Sequence, residues 1–276
     1  MPELPEVETI RATLSEHIIG KTFSRVDFHY SKILQNPDPE TFSATIVGQT
    51  IRQMGRYGKY LFFILDRNTL ISHLRMEGKF FVKPEEAPLE KHEHVVFHFT
   101  DGETLRYHDT RKFGTMELVP LGCERGAKGL CHMGLEPFDE SFGGPYLQTH
   151  AHGSVRPVKS WLLDQTVISG LGNIYVNEVL FRCHLHPETP VRALKAEDFD
   201  RLADASRVVL AQAIELGGTT IRTYYSSLGV TGRFQNELCV HDKKGEPCPL
   251  CSTPIAKIQV GGRGTYYCPH CQQKKG

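Results

Sequence analysis

No stretch of this 276-residue chain approaches the ~20 apolar residues that a membrane-spanning helix needs, so no membrane partner is expected. The N-terminus is acidic and lacks the basic-plus-apolar design of an export signal. The expected compartment is therefore the cytoplasm, where the eight cysteines act as thiols or metal ligands rather than as a disulfide framework. Neither a GxGxxG nor a Walker-type loop occurs, which removes the usual cradle for a nucleotide cofactor. Net charge is missing too. The 32 Lys and Arg balance 32 Asp and Glu, so the chain as a whole lacks the cation excess of a nucleic-acid binder. Its distribution softens that exclusion. Residues 1–150 carry 17 basic and 21 acidic groups, residues 151–276 carry 15 and 11, and residues 217–276 carry 8 and 3. Positive charge gathers toward the C-terminus, as it does when one end faces a polyanion.

What is present begins at that end. Cys248-Pro-Leu-Cys251 and Cys268-Pro-His-Cys271 form two C-x2-C pairs at the spacing of a structural zinc site. Four thiolates close the tetrahedral shell, so one structural Zn2+ is expected, with no open position for catalysis. Between the pairs, Ile255–Val260 and Thr265–Tyr267 read as strands around a Gly261-Gly262-Arg263-Gly264 turn. Such a hairpin is too small to hold itself together without the metal. Arg263, flanked by glycines, reads either as a solvated turn residue or as a guanidinium free to clamp a phosphate. Cys183-His184-Leu185-His186 contains metal-ligating residue types but reads as a buried helix end.

At the opposite end the chain opens Met1-Pro2-Glu3-Leu4-Pro5-Glu6. Initiator Met is normally trimmed when Pro follows, which would leave Pro2 as a free secondary amine. An α-amino group titrates near ~7.7–8.0 against ~10.4 for lysine, so far more of it is unprotonated and nucleophilic at neutral pH. Glu3 and Glu6 place carboxylic acids beside it as proton carriers. The plainer reading makes Pro2 and Pro5 a stiff lead-in to a helix.

Pro5 to Ile19 reads as that helix, with Val7, Ile10, Leu14 and Ile18 on one face and Gly20 ending it. Short strands follow at Phe23–Tyr30, Thr45–Met54, Tyr60–Leu65, Thr69–Leu74, Phe80–Lys83, Val95–Thr100, Thr104–Tyr107 and Thr115–Val119, the pattern of a sandwich or flattened barrel. Residues 135–150 turn to Pro, Gly and acidic composition, a linker. Helices follow at Val158–Gln165, Ile174–Cys183 and Ala196–Leu216. Before the second of these, Ser169-Gly170-Leu171-Gly172-Asn173 feeds a helix N-terminus, either as a simple cap or as an anion site with Asn173 as helper donor. The fold class is thus α+β and multidomain: residues 1–134 a β-sandwich with its N-terminal helix, 151–232 a helical domain, and 233–276 the zinc finger.

Taken in order, Pro2–Glu8, Gly58-Lys59-Tyr60, His73-Leu74-Arg75-Met76-Glu77-Gly78, Lys91-His92-Glu93-His94, Asp109–Gly114, Gly170–Tyr175, Gly217–Thr220 and the zinc hairpin resemble the formamidopyrimidine-DNA glycosylase family over essentially the whole chain. The resemblance implies a helix–two-turn–helix fold for the middle domain. It also implies a monomer acting on damaged double-stranded DNA, in the bacterial cytoplasm and at the nucleoid. The implied activity is excision of oxidised purines (8-oxoguanine and formamidopyrimidines) followed by β,δ-elimination at the abasic site.

By the same resemblance Pro2 is the Schiff-base nucleophile, and Glu3 the acid that helps open the sugar ring. Lys59 serves β-elimination and a phosphate contact, and Arg263 a phosphate contact and δ-elimination. Asn173, His92 and His73 fall at DNA-contact positions. Met76, Arg111 and Phe113 match residues that fill the void left by an extruded base, although Met76 and Phe113 also read as ordinary core residues. Residues 217–232 match a lesion-capping loop. Two departures bear on lesion preference. Arg222-Thr223-Tyr224-Tyr225 stands where many members begin Asp-Phe, and Val240-His241-Asp242 stands for Val-Tyr-Gly. Two rival readings remain: an endonuclease VIII-type enzyme for oxidised pyrimidines, and a zinc-finger damage binder without chemistry. Leu4 opposes the first, since those chains open Pro-Glu-Gly-Pro-Glu. The intact Pro2, Glu3 and Lys59 oppose the second.

Overall fold

The computed structural model describes residues 2–219 and 232–276. It divides into two compact units, Met1–Cys131 with Gly217–Gly232, and His132–Leu216 with Arg233–Gly276. Residues 220–231 of the expected capping loop lie outside the described residues.

The first unit starts with helix α1 (Leu4–Ile18), which carries Pro in its first turn and buries Val7, Ile10, Leu14 and Ile18. Nine strands follow: β1 (Phe23–Phe28), β2 (Leu34–Asn36), β3 (Gln53–Tyr57), β4 (Tyr60–Ile64), β5 (Asn68–His73), β6 (Lys79–Pro84), β7 (Glu93–Phe99), β8 (Glu103–His108) and β9 (Thr115–Pro120). They form one sheet ordered β1-β7-β8-β6 and a second ordered β2-β9-β5-β4-β3. Alternation does the sorting in β4, where Leu61 and Phe63 turn inward and their neighbours do not. Phe23, Phe80, Phe97, Leu105 and Tyr107 of the first sheet share one core with Leu61, Phe63, Leu70, Met116 and Leu118 of the second. Fully burying such side chains stabilises by ~1.5–3 kcal/mol each. Helix α1 lies against β3 and β4, with Glu8 meeting Arg56 and Arg11 reaching the Met54 carbonyl of β3.

The strand expected at Thr45–Met54 is not there. Helix α2 (Pro39–Ile46) takes its first residues, and β3 begins only at Gln53. Asp38 decides the matter locally. Its carboxylate accepts from the N–H groups of Glu40 and Thr41, and Pro39 occupies the first turn, so the helix is capped before the β-branched run begins.

In the second unit, α3 (Gly144–Ala151), α4 (Val158–Leu162), α5 (Asn173–Arg182) and α6 (Ala196–Glu215) precede a hairpin of β10 (Ala256–Val260) and β11 (Arg263–Tyr267). Helix α3 begins inside the stretch expected to be a linker and ends one residue beyond it. Phe199, Leu202, Val209 and Ala213 are the buried face of α6, as their spacing predicts. Glu178, buried on α5, accepts from the N–H groups of Cys239, Val240 and His241 and so pins the segment that enters the finger. Burial pushes its carboxyl above the usual range despite those three donors. Among the described residues no helix is long and apolar enough to cross a membrane.

Candidate active site and nucleic-acid interface

The zinc site forms from sequence-local pieces. The sulfurs of Cys248, Cys251, Cys268 and Cys271 all lie within 4.8 Å of one another. Cys248 Sγ is 3.9 Å from Cys271 Sγ, and Cys251 Sγ is 3.5 Å from Cys268 Sγ. A tetrahedron with ~2.3 Å Zn–S bonds has edges of ~3.8 Å, so the sulfur cage fits a zinc ion. The turn of the finger is tighter than its composition suggests. Val260 pairs with Arg263, leaving only Gly261 and Gly262 in the turn, at φ 57° and 75°. That is the positive-φ pair that a two-residue type I′ hairpin demands. Arg263 is therefore the exposed first residue of β11 rather than a turn residue.

Asn173, at the start of α5, meets the same hairpin. Its Nδ2 donates to the Gly264 carbonyl at 3.2 Å, while its Oδ1 is buried without a hydrogen-bond partner. Lys159 of α4, fully buried, donates to the Gly264 carbonyl at 3.0 Å and to Thr265 Oγ1 at 2.8 Å. Arg263 and Asn173 are thus brought together at one end of the second unit, with Lys159 fixing the strand between them. Cys183 ends α5 and donates to the Arg201 carbonyl. Burial pushes its thiol up to about 12, which suits a structural thiol and not a ligand or nucleophile.

In the first unit, Pro2, Glu3 and Glu6 are all buried. Glu3 is the N-cap of α1, and its side chain accepts from the N–H of Glu6 in a reciprocal capping box. The Glu6 carboxylate accepts from the Glu3 N–H at 2.9 Å through one oxygen. Through the other it accepts the Thr219 N–H at 2.8 Å and the Thr219 hydroxyl at 3.0 Å. Gly218 runs so close, at φ 76°, that a Cβ there would stand 2.7 Å from that oxygen. Glu6 therefore fixes the backbone beside Pro2 and the start of the 217–232 segment with one carboxylate.

Lys59 is the second residue of the two-residue β3–β4 turn and is buried, with Gly58 (φ 56°) supplying the positive φ before it. Its charge reaches His73 on the neighbouring strand. Burial, then Arg75, then Lys59 drive the His73 imidazole down to about 3. His73 Nδ1 accepts the Arg75 N–H at 2.9 Å, so the neutral ring carries its proton on Nε2 as a donor.

A histidine with a folded pKa below its ordinary 6.5 lends stability above pH 6.5 that is lost as pH falls toward 3. We expect His73 alone to account for roughly 2 kcal/mol of stability lost between pH 7 and pH 5. Denaturant titrations at the two pH values should show His73→Gln flattening that loss; an unchanged pH dependence would contradict the assignment.

The expected void-filling residues do not lie in the core. Met76 is 40% exposed and Phe113 is 53% exposed. Arg111 holds its guanidinium 4.8 Å from the Phe113 ring centroid. Asp109 builds this presentation from below. Fully buried, its carboxylate accepts the N–H groups of Arg111, Phe113 and Gly114 at 2.8–3.0 Å. Gly114 is required, because a Cβ there would stand 1.6 Å from the Tyr107 hydroxyl. His92 packs its ring against His94 and His108. Its loop is held by Arg106, which donates to the carbonyls of Pro84, Ala87 and Pro88 and pairs with buried Glu93 at 3.1 Å.

Family models agree with this layout. Residues 1–116 match the formamidopyrimidine-DNA glycosylase N-terminal domain, residues 133–225 its H2TH domain, and residues 245–274 the zinc finger found in FPG and IleRS. A formamidopyrimidine-DNA glycosylase of Geobacillus kaustophilus is 48% identical over 274 residues, covering 99% of this chain and all of that protein. The chain belongs to the formamidopyrimidine-DNA glycosylase family. Among solved glycosylases, a Lactococcus lactis FPG mutant bound to Fapy-dG-containing DNA superposes with a TM-score of 0.93 at 42% identity, covering 99% of this chain and all of that one. A MutM complex with carbocyclic 8-oxo-G-containing DNA gives 0.91 at 41%, with the same coverage.

Sequence reasoning had not singled out Asp109 or Arg106 as builders of this glycosylase's surface loops. The available signal for Asp109 is an Asp opening the short loop that ends at Gly114, a residue type that hydrogen-bonds backbone N–H groups in turns. For Arg106 there is none, since it sits mid-strand and three of its partners are backbone carbonyls.

Proposed function

We propose that the chain is a bifunctional DNA glycosylase and abasic-site lyase. On this reading it excises oxidised purines from duplex DNA, with the Met-trimmed Pro2 amine as nucleophile. The observation that supports the residue assignment is the buried capping box: the Glu3 carboxylate accepts the Glu6 N–H while the Glu6 carboxylate holds the Glu3 N–H, which fixes the backbone one residue after Pro2. Family membership and the DNA-bound relatives, in complex with Fapy-dG and carbocyclic 8-oxo-G DNA, support the substrate class.

The chemistry then follows in order. The Pro2 nitrogen forms a bond to C1′ as the glycosidic C1′–N bond breaks, and the amine's proton passes to the departing base. Glu3 delivers a proton to the sugar ring oxygen, and the C1′–O4′ bond breaks to give an iminium. Because proline is a secondary amine, that iminium carries no N–H and stays positively charged, a strong electron sink. Loss of a C2′ proton sends electrons toward it and expels the 3′-phosphate, and a second elimination releases the 5′-phosphate. Lys59 serves the first elimination and Arg263 the second. Asn173, His73 and His92 hold phosphates, with His73 acting as a neutral donor. Met76, Phe113 and Arg111 occupy the space of the extruded base. Action as a monomer in the bacterial cytoplasm, at the nucleoid, belongs to the same proposal.

Glu3→Gln should lower single-turnover excision of 8-oxoguanine by at least ~100-fold, the scale of a general acid. Gln keeps an acceptor for the capping box, so the fold should persist. Wild-type excision by Glu3→Gln would remove Glu3 from the mechanism.

A further inference from the structure

Helix α1 bears Glu3 at its N-cap and Glu8 further along its length. Glu8 is a junction. Arg11 holds its Oε1 through Nε at 2.8 Å and through Nη2 at 2.7 Å. Arg56 on β3 donates from Nε to its Oε2 at 3.0 Å. The same Arg56 guanidinium donates from Nη1 to the carbonyl of Gly58 at 3.1 Å, in the turn that presents Lys59. Its side chain is only 9% exposed, so the contacts are shielded from water. Burial alone would raise the Glu8 carboxyl, but the hydrogen bonds from Arg11 and Arg56 outweigh it and hold the group ionised.

The hairpin does not need this arginine to form. Five backbone pairs from Gln53↔Ile64 to Tyr57↔Tyr60 close it, and Leu61 and Phe63 anchor β4 in the core. What the guanidinium adds is a fixed distance between the turn and the helix. We propose that Arg56 is a positioning residue: clamped between Glu8 on α1 and the Gly58 carbonyl, it fixes the Lys59 ammonium relative to the Glu3-bearing end of the helix. This rests on the reading of Lys59 given above. Lysine cannot replace Arg56 here, because a single ammonium lacks the planar fork that reaches both acceptors in fixed directions.

The test uses the Met-trimmed, zinc-loaded protein on duplex DNA containing a preformed abasic site, at saturating protein. Borohydride-trapped adduct and strand cleavage are measured in parallel under single-turnover conditions, with melting temperatures. Arg56→Ala and Arg56→Lys should keep adduct yield within about threefold of wild type while cleavage slows at least ~10-fold, the scale of a small misplacement of a reacting group. Arg56→Ala should add little to Lys59→Gln, since both act through one ammonium. Arg52→Ala, which removes an exposed arginine paired with Asp66, serves as the unaffected control.

Wild-type cleavage by both Arg56 variants, alongside slow Lys59→Gln, would overturn the Arg56 proposal alone. Wild-type cleavage by Lys59→Gln would overturn the Lys59 reading and this one with it. Equal losses of trapping and cleavage with a lowered melting temperature would show a merely structural arginine and also overturn it. Should Arg56→Ala fail to fold, Arg56→Lys and Glu8→Gln carry the same comparison, because each weakens the clamp while keeping most of the side-chain volume.

Discussion

A protein that retains Met1 forms no borohydride-stable adduct with abasic duplex DNA, while the trimmed protein is trapped efficiently. Rates should differ by at least ~1,000-fold, for two reasons that compound. With Met1 attached, the Pro2 nitrogen is an amide whose lone pair is delocalised into the carbonyl, and it cannot attack C1′. The free amine then belongs to Met1 and is displaced by one residue, ~3.8 Å along the chain. Near-attack geometry tolerates far less, since a shift of ~1 Å can cost ~100-fold. The trimmed Pro2 amine has the further advantage of an α-amino pKa near ~7.7–8.0, so about a tenth of it is unprotonated at pH 7. Mass measurement of the N-terminus, paired with trapping on the same two samples, checks this result. Pro2→Gly supplies the complementary case. It preserves an amine at the correct position and should retain part of the trapping, because glycine changes the nucleophile's substitution and stiffness but not its place. Efficient trapping by the Met1-retaining form would move the nucleophile elsewhere in the chain.

The asymmetry between what sequence showed and what it hid has a physical origin in contact range. The four cysteines were legible because zinc ligands recur at short spacings fixed by the loop between them. The α1 face at Val7, Ile10, Leu14 and Ile18 was legible because helical periodicity is local, and all four are buried. The misread strand at Thr45–Met54 shows the opposite weighting. Thr45, Ile46 and Val47 favour strands by side-chain shape, but Asp38-Pro39 upstream had already started a helix. Gly143-Gly144-Pro145 likewise resembles a linker, yet Pro in a first turn is compatible with the helix α3 that forms there.

Within the candidate site, the residues that carry side-chain chemistry could be named, but those that hold them could not. Glu6 meets Thr219 across 213 positions of sequence, and no local pattern encodes that contact. Asp109 accepts three backbone N–H groups, whose identity leaves no trace in residue type, beside a single side-chain donor, the Tyr107 hydroxyl. The Gly261-Gly262 turn lies between the two cases. The glycines marked it, but the pairing of Val260 with Arg263 was needed to move the arginine out of the turn and onto the strand.

Replacing Cys268 by Ser should abolish zinc binding and lower affinity for abasic duplex DNA by at least ~100-fold. The finger has little else to hold it. Its buried cluster consists of Phe181, Val240, Cys248, Ile255, Tyr266 and Cys268, two of which are themselves ligands. An isolated two-stranded hairpin is marginal in water, whereas a structural zinc contributes apparent binding energies of ~10–16 kcal/mol. Without the metal, β10 and β11 lose their fixed ends, and Arg263 loses a defined position at the hairpin tip. The Gly264 carbonyl also leaves the reach of Asn173 and Lys159, so the start of α5 loses its partner in the finger. Two of the named interface residues, Arg263 and Asn173, thus depend on one ion. The helices should survive, because their core at Trp161, Val176, Leu180, Leu202 and Leu210 is buried independently of the sulfurs. Metal analysis should fall from one zinc per chain to none, with binding followed by fluorescence anisotropy and helical content by circular dichroism. A metal-free protein with wild-type affinity would show that the hairpin folds on packing alone, and the six-residue cluster under it makes that outcome physically implausible.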